Sequence, residues 1–250
     1  MSTPRRALVI LLSIGACGGV LASAICVPPS LAQHQHPVSP SMAQGGDGGD
    51  RDAQLVLAQM QGHLLVAKEL LQLQNAKAAE PHVGHPVNEL YGALAPALQR
   101  KGVSPFLPTL EALEQQVRLN PGTPEASLKL ARAQQAIAEA AKRMNGGLSL
   151  SGPSLFSVVR ELGKEAAEEY AAAIAGDQVV EVIEYQDARG FLLEAQRLLE
   201  GAITRIPADA AALTARQRTV AAMLKAFPTV LPPRTAVLSV AQLQQLQQLL

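Results

Sequence analysis

From Asp52 to the C-terminus, apolar residues recur at intervals of three and four, and no stretch alternates apolar with polar as a strand does. Leu57, Met60, Leu64, Ala67 and Leu71 set the pattern, laying one stripe along the first segment. A chain patterned this way buries its apolar surface only by packing helix on helix. The expected fold is all-α, an antiparallel assembly of helical hairpins or a bundle.

Turn residues divide the pattern. Gln74-Asn75 is a stop, because asparagine tolerates the left-handed geometry that ends helices, and a short helix over 76–82 follows. Pro86 suits a first helical position and starts a segment to Arg100 that Pro96 bends. Ser104-Pro105 opens the next helix. Thr123-Pro124-Glu125 starts another that runs to Met144, where Asn145-Gly146-Gly147 ends it. This is the first helical half, 52–147. A second half, 153–231, contains helices over 154–175 and 179–205 joined at Gly176-Asp177, then one over 208–227. The remainder, 232–250, ends in a short helix from Ser239.

The halves share a signature. Gln61-Gly62-His63-Leu64-Leu65 and Arg189-Gly190-Phe191-Leu192-Leu193 lie at the same offset within helical stretches. Glycine inside a helix costs about 1 kcal/mol relative to alanine, so its recurrence implies close helix packing at both points. Two related halves are one reading; chance in a Leu- and Ala-rich chain is the other.

Before the helices lie a leader and a linker. Arg5 and Arg6, the apolar stretch 7–27 and Ser30-Leu31-Ala32 describe a cleavable export signal over 1–32. Competing readings are a lipid anchor at Cys17 and a retained membrane helix. Residues 33–51, rich in Pro, Gly, Ser and Gln, read as a disordered linker. Cleavage places the protein in the periplasm with no membrane span in the mature chain. It also removes Cys17 and Cys26, the two cysteines, and with them any disulfide or thiolate ligand. Without Arg5 and Arg6, the 21 basic residues fall two short of the 21 acidic ones, which gives nucleic acid no support as a partner.

Outside the leader and linker, the histidines are His63, His82 and His85, with Glu89 one helical turn beyond His85. Whether they meet depends on where the first helix ends. If it runs to Ala79, His63 lies roughly 24 Å from the loop histidines at 1.5 Å per residue. If it ends near Leu73, the chain folds back and brings His85 beside His63. His63, His82, His85 and Glu89 then form a nitrogen and oxygen site suited to iron, copper or zinc, and unsuited to calcium or magnesium. The plainer alternative has His85 capping the helix opened by Pro86, with Glu89 favouring its dipole. Glu165, Glu169, Glu184 and Asp187 read as surface carboxylates paired with Arg160, Lys164 and Arg189. No nucleophile elbow, phosphate loop, dinucleotide fingerprint or His-Glu-x-x-His is present, so a catalytic role is not expected.

The stretch Glu165-Ala166-Ala167-Glu168-Glu169-Tyr170, Gly176-Asp177-Gln178-Val179-Val180 and Glu184-Tyr185-Gln186-Asp187-Ala188-Arg189-Gly190-Phe191 resembles the periplasmic helical region of bacterial high-affinity iron permeases. The resemblance spans 165–191. The permease's Arg-Glu-Gly-Leu-Glu membrane motifs are missing, so it implies a companion of a membrane metal-uptake component and not the transporter. The expectation is a non-catalytic periplasmic protein that binds a transition metal or assists its uptake. The rival is a helical-repeat interaction scaffold without metal.

Overall fold

The computed structural model describes residues 47–250; the expected leader, with Cys17 and Cys26, and the linker as far as residue 46 lie outside the described residues. Helix α1 (Asp47–Gln72) already begins inside the stretch read as linker. It is followed by α2 (Ala76–His85), a π-helical turn (Pro86–Leu90), α3 (Tyr91–Arg100), α4 (Leu107–Leu119) and α5 (Pro124–Met144). Then come α6 (Gly152–Ala173), a two-residue hairpin of β1 (Ile174–Ala175) and β2 (Gln178–Val179), α7 (Val182–Ala202), α8 (Ala210–Met223) and α9 (Val240–Gln247). The fold is all-α, as the periodicity requires.

Local chemistry explains the boundaries. At the end of α1, Gln74 N–H donates to Leu71 O (3.0 Å) and Asn75 N–H to Leu70 O (2.9 Å). This is a Schellman stop. The left-handed residue is Gln74 (φ 56°) and not the expected Asn75. Asn75 instead caps α2, its side chain accepting from Ala78 N–H (3.3 Å). Gly146 (φ 65°) closes α5 in the same manner as Gln74 closes α1. Ser239 and Gln242 form a reciprocal capping box at the start of α9. Thr123 occupies the N-cap of α5, but its hydroxyl donates to Asn120 O (3.0 Å).

Two apolar clusters result. One gathers α1 to α5 around Leu57, Met60, Leu64, Leu94, Leu113 and Ile137. The other gathers α6 to α9 around Val159, Tyr170, Phe191, Leu199 and Phe227. Helix α1 serves both, packing against α2, α5, α6 and α7. It is therefore buried nearly all round, not along one stripe, and Gln54, Gln59 and Gln61 are buried with it. Gln54 and Gln61 donate to Ala141 O (2.8 Å) and Gln134 O (2.7 Å) of α5, which satisfies them.

At the crossing of α1 and α7, the two signature glycines face each other. A Cβ on Gly62 would meet Gly190 O at 3.0 Å, and one on Gly190 would meet Gly62 O at 2.5 Å. Each expected close approach is thus the same approach, seen from opposite sides. Arg189 reinforces it, donating from Nε and Nη2 to Glu69 of α1 (2.8 Å each) and from Nη1 to Phe227 O (2.7 Å).

The C-terminal segment is pinned to α6 and α7. Tyr170 OH donates to Leu238 O (2.6 Å) and Tyr185 OH to Thr229 O (3.0 Å), with the Phe227 ring against both rings. Burial pushes both tyrosine hydroxyls above their ordinary pKa, so they stay protonated donors.

Candidate metal centre

The reversal at Gln74-Asn75 returns α2 along α1, so His82 and His85 come back to the level of His63. All three rings converge on Asp187, a residue of α7. His63 Nδ1 lies 2.7 Å and His82 Nδ1 2.8 Å from Asp187 Oδ1; His85 Nδ1 lies 3.5 Å from Oδ2. His85 Nδ1 is 3.4 Å from His63 Nδ1. One ligand atom from each of the four residues falls within 4.8 Å of every other.

The surroundings fix these rings. Gln186 Nε2 donates to Val230 O (3.1 Å), which turns its carbonyl oxygen toward His82. His82 Nε2–H then donates to Gln186 Oε1 (2.8 Å). With its proton held there, neutral His82 presents a lone pair on Nδ1, facing a carboxylate oxygen. Two acceptors at 2.8 Å require a proton or a cation between them. Behind His63 stands the Phe191 ring, edge-on with centroids 5.2 Å apart. The side chains of His63, His82 and Asp187 are fully buried. Burying a charge without compensation is costly, so this concentration of titratable groups calls for a counter-charge.

The donor set fits a transition metal. An ion held tetrahedrally at 2.0–2.1 Å by nitrogen ligands places its ligand atoms about 3.3 Å apart. The His63–His85 nitrogen separation of 3.4 Å matches that edge. The two short Asp187 contacts are tighter by about half an ångström, so an ion would press the carboxylate outward slightly. Three imidazoles and one carboxylate suit zinc, copper or ferrous iron. A glutamine oriented on the far nitrogen of a ligand imidazole is the supporting hydrogen bond that metal-binding histidines use.

Of the residues named from sequence, His63, His82 and His85 are brought together. Glu89 falls outside the four-residue group: it lies in the π-helical turn with Oε1 3.8 Å from His85 Nε2, on the opposite side of that ring from Nδ1. The capping role is not realised, since the side chain of His85 makes no cap hydrogen bond to the turn that Pro86 opens. Pro86 does not begin a separate helix either. Without an N–H it cannot continue the ladder, and the chain widens into a turn in which Tyr91 N–H reaches back to Pro86 O.

Asp187 departs from the sequence expectation: its acidic neighbourhood reads as surface carboxylates, yet it is fully buried, and Glu165 and Glu184 are buried too. Their supposed cationic partners lie elsewhere: Arg189 crosses to Glu69, Arg160 pairs with Glu161 and Lys164 with Glu168. The site therefore does not belong to the first half alone. A signal existed, since Glu184, Asp187, Phe191 and Glu194 share the helical spacing of the buried Tyr185, Ala188 and Ala195.

The assembly is a helical bundle with a buried three-histidine, one-aspartate cluster at the meeting of α1, α2 and α7. Residues 155–250 match the family model for the iron permease-associated 4-helix bundle domain. The resemblance of 165–191 to the iron permease helical region extends over this longer segment. Asp187 and Gln186 lie inside the match; the three histidines precede it. No curated protein and no solved structure matches the chain. Among the described residues, no helix is long and apolar enough to cross a membrane.

Proposed function

We propose that this is an exported, periplasmic protein that binds one divalent transition-metal ion through His63, His82, His85 and Asp187. It would serve metal uptake, iron foremost, as the companion of a membrane component. The observation that carries the reading is the position of His82. Its Nε2 proton is committed to Gln186, while Nδ1 faces Asp187 at 2.8 Å, an arrangement that a bound cation would satisfy. The iron permease-associated match over 155–250 supports iron as the context. With one carboxylate and three neutral rings, a divalent ion leaves a net charge of one in a buried site, where a trivalent ion would leave two. Divalent ions are therefore favoured.

The test is elemental analysis of protein prepared from its native compartment, with cobalt titration of the metal-free form. One ion per chain is expected in the wild type, and none in His82→Ala or Asp187→Ala. Wild-type protein without any ion would favour the interaction scaffold, and stoichiometry unchanged by both substitutions would overturn this ligand set.

A further inference from the structure

We propose that Glu89 and His85 form the port through which the ion reaches the buried cluster. The inference rests on the metal-site reading above and adds a path to it. Three of the four members of the cluster, His63, His82 and Asp187, have no exposed side-chain surface. Gln186, held on Val230 O, stands behind His82, and Phe191 stands behind His63. Asp187 is fully buried on α7. His85 is the one member of the cluster with exposed side-chain surface, at 11%, and Glu89 beside it has 20%.

His85 presents its two nitrogens to the two ends of this path. Nδ1 faces inward, 3.4 Å from His63 Nδ1 and 3.5 Å from Asp187 Oδ2; Nε2 faces Glu89 Oε1 at 3.8 Å. The π-helical turn that Pro86 imposes follows His85 directly and carries Glu89. A carboxylate beside the one partly exposed member of a buried cation-binding cluster raises the local cation concentration. It also offers an oxygen in exchange for the water a metal ion must shed. Glu89 thus acts on the rate of loading, and the four interior residues set the final affinity.

Stopped-flow mixing of cobalt(II) with metal-free wild-type protein and Glu89→Gln, followed by visible absorbance, tests this. The substitution is expected to slow association roughly tenfold, within the range that electrostatic focusing supplies. The stoichiometry and final spectrum should be unchanged, and Glu89→Asp should recover part of the rate. Equal rates with cobalt bound in both proteins overturn the port and leave the site standing. Loss of bound cobalt in Glu89→Gln makes Glu89 a ligand and overturns the port. A wild type that binds no cobalt removes the site and the port together.

Discussion

Gly62 and Gly190 touch backbone to backbone where α1 crosses α7, each occupying the space that a side chain on the other would need. His63 follows Gly62 directly, and Asp187 precedes Gly190 by less than one turn. The closeness of this crossing is what allows the imidazole and the carboxylate to meet at 2.7 Å. Replacing Gly190 by alanine forces its Cβ into the carbonyl of Gly62, and backbone has nowhere to yield without separating the helices. A loss of about 1–3 kcal/mol is expected in denaturant unfolding. Gly92→Ala, whose Cβ meets nothing within 4 Å, should instead gain up to about 1 kcal/mol.

Gln186 touches the site only through His82. Gln186→Ala keeps all four proposed ligands and frees the His82 ring to rotate and change tautomer. Zinc affinity measured against a chelator should fall roughly 10- to 100-fold with stoichiometry still one. Complete loss of binding would show that Gln186 does more than orient a ring.

An ion that binds the folded chain and not the unfolded one stabilises it by mass action. At free zinc a hundred times the dissociation constant, the gain is about 2.7 kcal/mol. For a folded body of this size that raises Tm by about 5–10 °C. The shift should vanish in Asp187→Ala, which calorimetry with and without zinc will establish.

How much of this was legible beforehand differs between the histidines and the aspartate. The reversal near residue 75 and the proline-rich segment after it are local signals, so the approach of His82 and His85 to His63 followed from turn chemistry. Asp187 lies 124 positions from His63, and no local rule connects α7 to α1. The acidic character of the Glu184–Asp187 region reads as solvated until the helix is known to be buried on that face. The same holds for α1: Gln54 and Gln61 imply a wet side, whereas α5 carbonyls receive their amides. Helix periodicity reports that a face is buried; it does not report which distant helix covers the other face.

Arg189 ties α1, α7 and the turn at Phe227 with three donated hydrogen bonds. Its guanidinium is largely sheltered, so Arg189→Ala should cost about 2–3 kcal/mol in denaturant unfolding. Arg189→Lys should recover little, because an ammonium cannot engage both oxygens of Glu69 and the Phe227 carbonyl at once.

Glu194 on α7 is almost wholly buried and receives Arg197 Nε and Nη2 at 2.6 Å each. Burial pushes its carboxyl above the ordinary range, and the Arg197 bonds offset only part of that. The folded chain therefore holds this proton more tightly than the unfolded one. Its contribution to stability is fully present below the ordinary glutamate range and is lost as pH rises through the raised folded value. The stability of wild type relative to Glu194→Gln should accordingly decline from acid toward neutral pH. An advantage that grew with pH would contradict the assignment.

Because the carboxylate comes from the permease-like segment and the imidazoles from the helices before it, neither piece owns the chemistry. A polypeptide beginning at residue 155 would keep its fold signature and lose three of the four proposed donors. The ion would then act as a clasp whose two jaws are encoded more than a hundred residues apart. Whatever loosens α1 from α7, whether a partner docking or a mutation at their crossing, would release the cargo without altering a single ligand.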